Sequence, residues 1–192
     1  MYKIFGFYKF KKIKNIKLLK KNLKNFIEEE QVRGAIIISI EGINGTISFK
    51  PTKYKKVKNK ILNLLNIRKL DNENISYYKY QAFKKGKIKI KKEVVPIGMK
   101  LNKIVTKNKI EPKDWNKFIL KKETVLIDTR KNFEFKVGTF KGSINPELNN
   151  FRDFPRYFKT LKKNQNIGMF CTGGIRCEKA SACLLYTSDA AD

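Results

Sequence analysis

The apolar residues between Ile4 and Ile90 switch period along the chain, and this switching limits the fold more than any other feature. Ile4-Phe5-Gly6-Phe7-Tyr8-Lys9-Phe10 is rich in aromatic residues, which suit a pleated strand. From Ile16 to Glu30 the apolar residues fall at Ile16, Leu19, Leu23, Phe26 and Ile27, the spacing of one helix face. Gly34 to Ile40 is a buried strand, Glu41-Gly42-Ile43-Asn44-Gly45 a turn, and Thr46-Ile47-Ser48-Phe49 the next strand. Tyr54 to Leu65 is a second helix, with Val57, Ile61, Leu64 and Leu65 on one side. Ile88-Lys89-Ile90 alternates as an exposed strand does. The order β-α-β-β-α-β is that of a ferredoxin-like split βαβ domain.

A boundary is expected between Gly98 and Pro112, in a polar stretch followed by a short helix from Asp114 to Leu120. Thr124-Val125-Leu126-Ile127-Asp128 then reads as a buried strand ending in a polar residue. A loop runs through Gly138, Gly142 and Pro146, and a short aromatic helix lies between Phe151 and Leu161. Ile167-Gly168-Met169-Phe170 is a second buried strand that ends at Cys171, and Arg176 to Leu185 is the helix after it. Short parallel strands of this kind form an open α/β sheet, which carries its sites at the carboxyl ends of the strands. The expected fold class is α/β throughout. An α+β ferredoxin-like or acylphosphatase-like domain (1–98) leads through a linker with a short helix (99–121) into an α/β domain (122–182).

Charge and residue usage narrow the function. Forty-four basic against 17 acidic residues give a net charge of +27, and only six of the basic residues are Arg. That charge attracts a polyanion, most plausibly RNA. Part of it reflects a general enrichment in Lys, Asn and Ile. No run of about 18 apolar residues suggests a membrane span. Met1-Tyr2-Lys3-Ile4-Phe5 does not begin a secretory signal. The three cysteines, Cys171, Cys177 and Cys183, are too clustered for a disulfide framework and are not spaced as zinc pairs. They fit a reducing cytoplasm. The absence of histidine rules out Ser-His-Asp and Cys-His catalysis and the two-His-one-carboxylate iron site.

Cys171-Thr172-Gly173-Gly174-Ile175-Arg176 lies between a strand and a helix. Paired glycines let backbone N–H groups turn inward, and such a nest at a helix N-terminus stabilises an anion. A Cys171 thiolate is that anion, and Arg176 adds a positive charge, so the thiol ionises without histidine. Cys171 is therefore the candidate nucleophile. Four residues separate Cys171 from Arg176, whereas a phosphatase cradle for a phosphate dianion needs five. The smaller loop suits a persulfide sulfur.

This segment resembles the rhodanese family, as do Asp128-Thr129-Arg130, Phe133-Glu134 and Gly142-Ser143-Ile144-Asn145-Pro146. Cys171 through Ser181, Gly138-Thr139-Phe140-Lys141-Gly142 and Phe151-Arg152-Asp153-Phe154-Pro155 are similar to one rhodanese subgroup. Glu41-Gly42-Ile43-Asn44-Gly45-Thr46-Ile47 and Lys91-Lys92-Glu93-Val94-Val95 match its N-terminal domain. The subgroup is the oxygen-dependent tRNA uridine-34 hydroxylases. The resemblance implies an oxidoreductase that hydroxylates the wobble uridine of tRNA to 5-hydroxyuridine. Molecular oxygen is then the co-substrate, tRNA the partner, and Cys171 the residue carrying a persulfide. It implies no cofactor or metal that the sequence identifies. The loop taken alone suggests a sulfurtransferase instead, and a non-catalytic RNA-binding module is a third reading.

Several residues keep two readings. Asp128 and Arg130 either hold the active-site loop, as the resemblance implies, or are polar residues at a strand end. Cys177 is either a second thiol that resolves an oxidised Cys171 or a small residue packed on the sheet. Glu41 and Asn44 either touch RNA or serve, with Gly42 and Gly45, the geometry of a hairpin. After Ala182 the composition shifts abruptly to Cys183-Leu184-Leu185-Tyr186-Thr187-Ser188-Asp189-Ala190-Ala191-Asp192. Residues 183–192 are expected to be a non-native tail on a truncated rhodanese domain. An uninterrupted native reading frame on resequencing would contradict that.

Overall fold

The computed structural model describes residues 1–99, 109–161 and 165–189. They form two compact units, Met1–Val94 and Val95–Asp192. The expected boundary stretch falls largely outside the described residues.

In the first unit, β1 (Tyr2–Phe10) pairs antiparallel with β3 (Gly42–Phe49) on one side and β4 (Asn72–Tyr78) on the other. β2 (Arg33–Ser39) is antiparallel to β3 and parallel to β5 (Gly86–Ile90), so the sheet order is β4-β1-β3-β2-β5. The four strands β4-β1-β3-β2, with helices α1 (Ile16–Glu29) and α2 (Tyr54–Leu65), make the ferredoxin-like arrangement. Alternation along the strands turns Phe5, Phe7, Ile36, Ile38, Ile43, Ile47 and Phe49 to the helices. There they meet Leu19, Leu23 and Phe26 of α1 and Val57 and Ile61 of α2. Burying each such side chain contributes roughly 1.5–3 kcal/mol. Asn15 starts α1 by accepting the Leu18 N–H at 3.1 Å, and α2 stops at Asn66, which is left-handed at φ 49°.

Two details differ from the sequence expectation. The strand completing the split βαβ motif is β4, not Ile88–Ile90, and β5 is a further strand added at the opposite edge. β4 lacks an apolar alternation because it lies at an edge and is mostly exposed. The hairpin turn is only Ile40-Glu41, and Gly42 to Gly45 belong to β3. Gly45 is needed for packing: a Cβ there would lie 2.7 Å from the Phe7 ring. Glu41 accepts the Val94 N–H at 2.7 Å, which ties the turn to the end of the unit.

The second unit is built on two parallel strands, β6 (Thr124–Asp128) and β7 (Asn166–Phe170). Ile144 adds a single bridge at Ile127 on the other edge of β6. α3 (Pro112–Ile119), α4 (Asn132–Val137), α5 (Phe154–Phe158) and α6 (Ile175–Asp189) complete it. The core gathers Ile97, Ile127, Phe154, Phe158, Ala180 and Cys183. Cys183, the first residue of the expected tail, is fully buried, with its thiol 3.3 Å from Met99 Sδ. Residues 190–192 of that tail lie outside the described residues. Asp128 and Cys171 both fall at carboxyl ends of the parallel strands, where open α/β sheets place their sites.

Candidate active site

Cys171 follows β7 directly, and its loop is anchored before it begins. The backbone N–H and the hydroxyl of Thr129, just past β6, both donate to Phe170 O, at 3.1 and 3.0 Å. Gly174 takes φ 82°, a left-handed conformation that glycine adopts without steric penalty, and α6 starts at the next residue. The turn aims the Gly174 N–H at Cys171 Sγ, 3.0 Å away.

These surroundings bring the Cys171 thiol down to about 5, from an ordinary 9.0. The largest cause is the Cys177 thiol, which donates to the Cys171 sulfur from the first turn of α6. Burial opposes the shift, while the N–H groups of Cys177 and Gly173 and the Arg176 charge reinforce it. Cys171 is thus a thiolate at neutral pH. The same contact, with burial, pushes the Cys177 thiol well above its ordinary value, so Cys177 keeps its proton. Thr129 Oγ1 lies 3.5 Å from Cys177 Sγ.

Arg176 is held in place by Glu134 of α4. Its guanidinium donates to both carboxylate oxygens, at 2.9 and 3.0 Å. The Thr172 hydroxyl donates to Glu134 Oε1 at 2.9 Å and the Lys131 N–H to Oε2 at 3.1 Å. Arg176 first, then the Lys131 and Thr172 donors, lower the Glu134 carboxyl to about 2 against the cost of burial. One carboxylate therefore fixes both the loop threonine and the loop arginine.

Asp128 and Arg130 pair beside this centre, with the Arg130 charge interacting with Glu134 and Cys171. Arg130 Nε donates to Asp128 Oδ1 at 2.9 Å, and Nη2 donates to Oδ2 at 2.7 Å and to Gly138 O at 2.6 Å. The Thr139 hydroxyl donates to Asp128 Oδ2 at 3.0 Å. The pair secures the 138–143 loop, and the guanidinium lies 5.5 Å from the centre of the Phe170 ring. Phe140 and Trp115 pack on that ring as well.

The fold thus brings Cys171, Arg176 and Cys177 into one constellation, with Arg130, paired to Asp128, near enough for its charge to interact with Cys171 and Glu134. Sequence reasoning did not single out Glu134 or Thr129 as site residues. Glu134 follows the Asp128-Thr129-Arg130 segment closely, yet its partner lies 42 residues on, beyond the reach of local spacing. Among the described residues, no group of three or more His, Cys, Asp or Glu side chains could hold a metal ion. No helix among them is long and apolar enough to cross a membrane.

Fold and site together define a protein with a rhodanese-type cysteine loop behind an acylphosphatase-like unit. Residues 2–94 match the family model described as the UPF0176 acylphosphatase like domain, and residues 111–190 match the Rhodanese-like domain. Three curated relatives, each called tRNA uridine(34) hydroxylase, are similar over nearly the whole chain. The protein of Pelagibacter ubique (strain HTCC1062) is 53% identical over 185 residues, 96% of this chain and 62% of its own length. That of Prochlorococcus marinus (strain MIT 9515) is 40% identical over 194 residues, covering 95% and 62%. That of Acinetobacter baumannii (strain AYE) is 36% identical over 187 residues, covering 93% and 57%. The chain thus carries a UPF0176 acylphosphatase like domain followed by a Rhodanese-like domain, and it is similar to these relatives over nearly all of its own length. It spans about three fifths of their length.

Proposed function

We propose that this chain is the catalytic part of a tRNA-modifying oxidoreductase that hydroxylates uridine 34 to 5-hydroxyuridine, with molecular oxygen as co-substrate. The observation that carries this reading is the Cys171 loop, in which the Gly174 N–H donates to Sγ at 3.0 Å and the Cys177 thiol and the N–H groups of Cys177 and Gly173 favour the thiolate, in a chain 53% identical to a protein called tRNA uridine(34) hydroxylase. Cys171 is the reactive sulfur, and the loop N–H groups and Arg176 stabilise its charge. Glu134 positions Arg176 and Thr172. Asp128 and Arg130 support the strand ends and the neighbouring loop. We place the reaction in the cytoplasm, where tRNA is found and the three free cysteines stay reduced.

A second reading is favoured by the size of the loop. Cys171 and its converging N–H groups also suit a sulfurtransferase. There the thiolate attacks the outer sulfur of thiosulfate, the S–S bond breaks, sulfite leaves with the electron pair, and Cys171 keeps a persulfide. One comparison separates the two. Wild type and Cys171→Ser are expressed in a bacterium stripped of its wobble-uridine hydroxylases, and tRNA nucleosides are read by mass spectrometry. 5-Hydroxyuridine with wild type and none with Cys171→Ser is the expected result. Its absence from both, with wild type alone gaining one sulfur from thiosulfate at Cys171, makes the protein a sulfurtransferase.

A further inference from the structure

The sheet of the first unit has a second face, and its composition is unlike that of the rest of the chain. Strand register fixes which residues lie on it. Opposite the helices are Tyr2, Ile4, Gly6, Tyr8 and Phe10 of β1, and Asn44, Thr46 and Ser48 of β3, with Tyr8 and Ser48 buried and Gln81 Nε2 donating to Ser48 O at 3.4 Å. Arg33, Ala35, Ile37 and the buried Ser39 of β2 lie there too, with Asn74, Ser76 and Tyr78 of β4 and Lys87 and Lys89 of β5, so the accessible part of the face is its middle row, its β4 corner and its β5 edge. Among the described residues, none of the strand positions on this face carries Asp or Glu, although the chain has 17 acidic residues.

Three features of the face fit one kind of ligand. The middle row, Asn74-Gly6-Thr46-Ala35, is made of short side chains, and its Thr46 and Ala35 are exposed. A flat ligand can therefore come close to the backbone. One end is aromatic: Tyr78 and Tyr80 are 55% and 62% exposed with rings 6.2 Å apart, and Lys50 Nζ lies 4.5 Å from the centre of the Tyr2 ring. The other edge is cationic, with Arg33, Lys87 and Lys89 all exposed. Aromatic rings on a sheet stack unpaired bases, and a neighbouring basic edge follows the phosphates.

We propose that this face docks the unpaired loop of an RNA, with bases on the Tyr2, Tyr78 and Tyr80 corner and phosphates along Arg33, Lys87 and Lys89. The proposal rests on the reading that the substrate is RNA, and it gives that substrate a point of attachment on the first unit. An acidic peptide would use the basic edge but would have no use for the tyrosines.

The test is fluorescence anisotropy of the full chain with a labelled RNA stem-loop carrying a uridine loop, and with a blunt RNA duplex. Arg33→Glu/Lys87→Glu/Lys89→Glu should weaken stem-loop binding at least about tenfold. Lys17→Glu/Lys21→Glu/Lys55→Glu, with the same charge change at exposed helix positions, should weaken it less than about threefold. Equal losses from the two triple variants would overturn the proposal. Tyr78→Ala/Tyr80→Ala should lower stem-loop affinity about tenfold and leave the duplex unaffected. An unchanged stem-loop affinity sinks the stacking corner. Thermal melts verify folding, and wild-type protein supplies an independent readout. Photo-crosslinking from 4-thiouridine in the loop should label peptides holding Tyr2, Tyr78 or Tyr80, and labelling confined to α1 and α2 contradicts the site. Binding requires no turnover, so the two readings separate. Crosslinks on this face without 5-hydroxyuridine formation leave the surface and remove the hydroxylase, and the reverse outcome does the opposite.

Discussion

A thiol that ionises near pH 5 needs a donor close to its sulfur, and the largest donor here is the side chain of Cys177. Cys177→Ala removes it, so the pH at which Cys171 becomes alkylated by iodoacetamide should move up from about 5 towards 9. Cys177→Ser keeps a hydroxyl donor and should restore part of the shift. Profiles of alkylation rate against pH, with the label located on Cys171 by mass spectrometry, decide it. An unmoved profile in Cys177→Ala would assign the thiolate to the backbone N–H groups and Arg176. Glu134 invites a stability test. Its folded carboxyl lies at about 2, below an ordinary 4.5, so it contributes stability that is complete above pH 4.5 and lost as pH falls towards 2. Glu134→Gln should cost about 1–3 kcal/mol in urea melts at pH 7, with the gap to wild type closing below pH 4.5. A gap that stays constant down to pH 2 contradicts the charge-based account.

At the scale of elements, the two loop glycines do different work. Gly174 is left-handed and hands the chain to α6, whereas a Cβ on Gly173 would meet nothing within 4 Å. Gly174→Ala should therefore destabilise the unit by about 1–2 kcal/mol and raise the pH at which Cys171 ionises, because its N–H loses its aim at the sulfur. Gly173→Ala should leave the melt within about 0.5 kcal/mol of wild type. Equal effects would mean that the loop conformation is not set by the turn at Gly174. β3 makes a parallel case. Gly45→Ala forces a methyl group against the Phe7 ring, where the contact would be 2.7 Å, and about 1–3 kcal/mol of stability should be lost in thermal denaturation.

For the whole molecule, a net charge of +27 predicts that the RNA binding proposed above depends on salt. A logarithmic plot of affinity against salt concentration should be linear, and each phosphate contact removed from a single strand should lower its slope by about 0.7. The Arg33, Lys87 and Lys89 triple variant should thus flatten the slope by about 2. The helix-side control triple should barely change it, since lysines without a phosphate partner release no counterion. A slope that flattens equally in both variants would describe a diffuse cationic cloud rather than a docking surface.

Local pattern decided a good deal of this protein. The periods around Phe5, Leu23, Ile36 and Ile61 fix the strands and helices of the first unit, because amphipathic burial is set by nearest neighbours in sequence. The strand-Cys-x4-Arg-helix segment likewise identifies Cys171, since the chemistry of a helix N-terminus and two glycines is local. Edge strand β4 escaped notice because an exposed edge needs no apolar alternation, and the partition of the sheet into a core face and a basic, tyrosine-bearing face appears only with the register. Tertiary structure alone determined that Glu134 clamps Arg176 from 42 residues away and that Thr129 holds Phe170. Hydrogen bonds between distant segments depend on where the chain returns, and no spacing along the sequence encodes that distance.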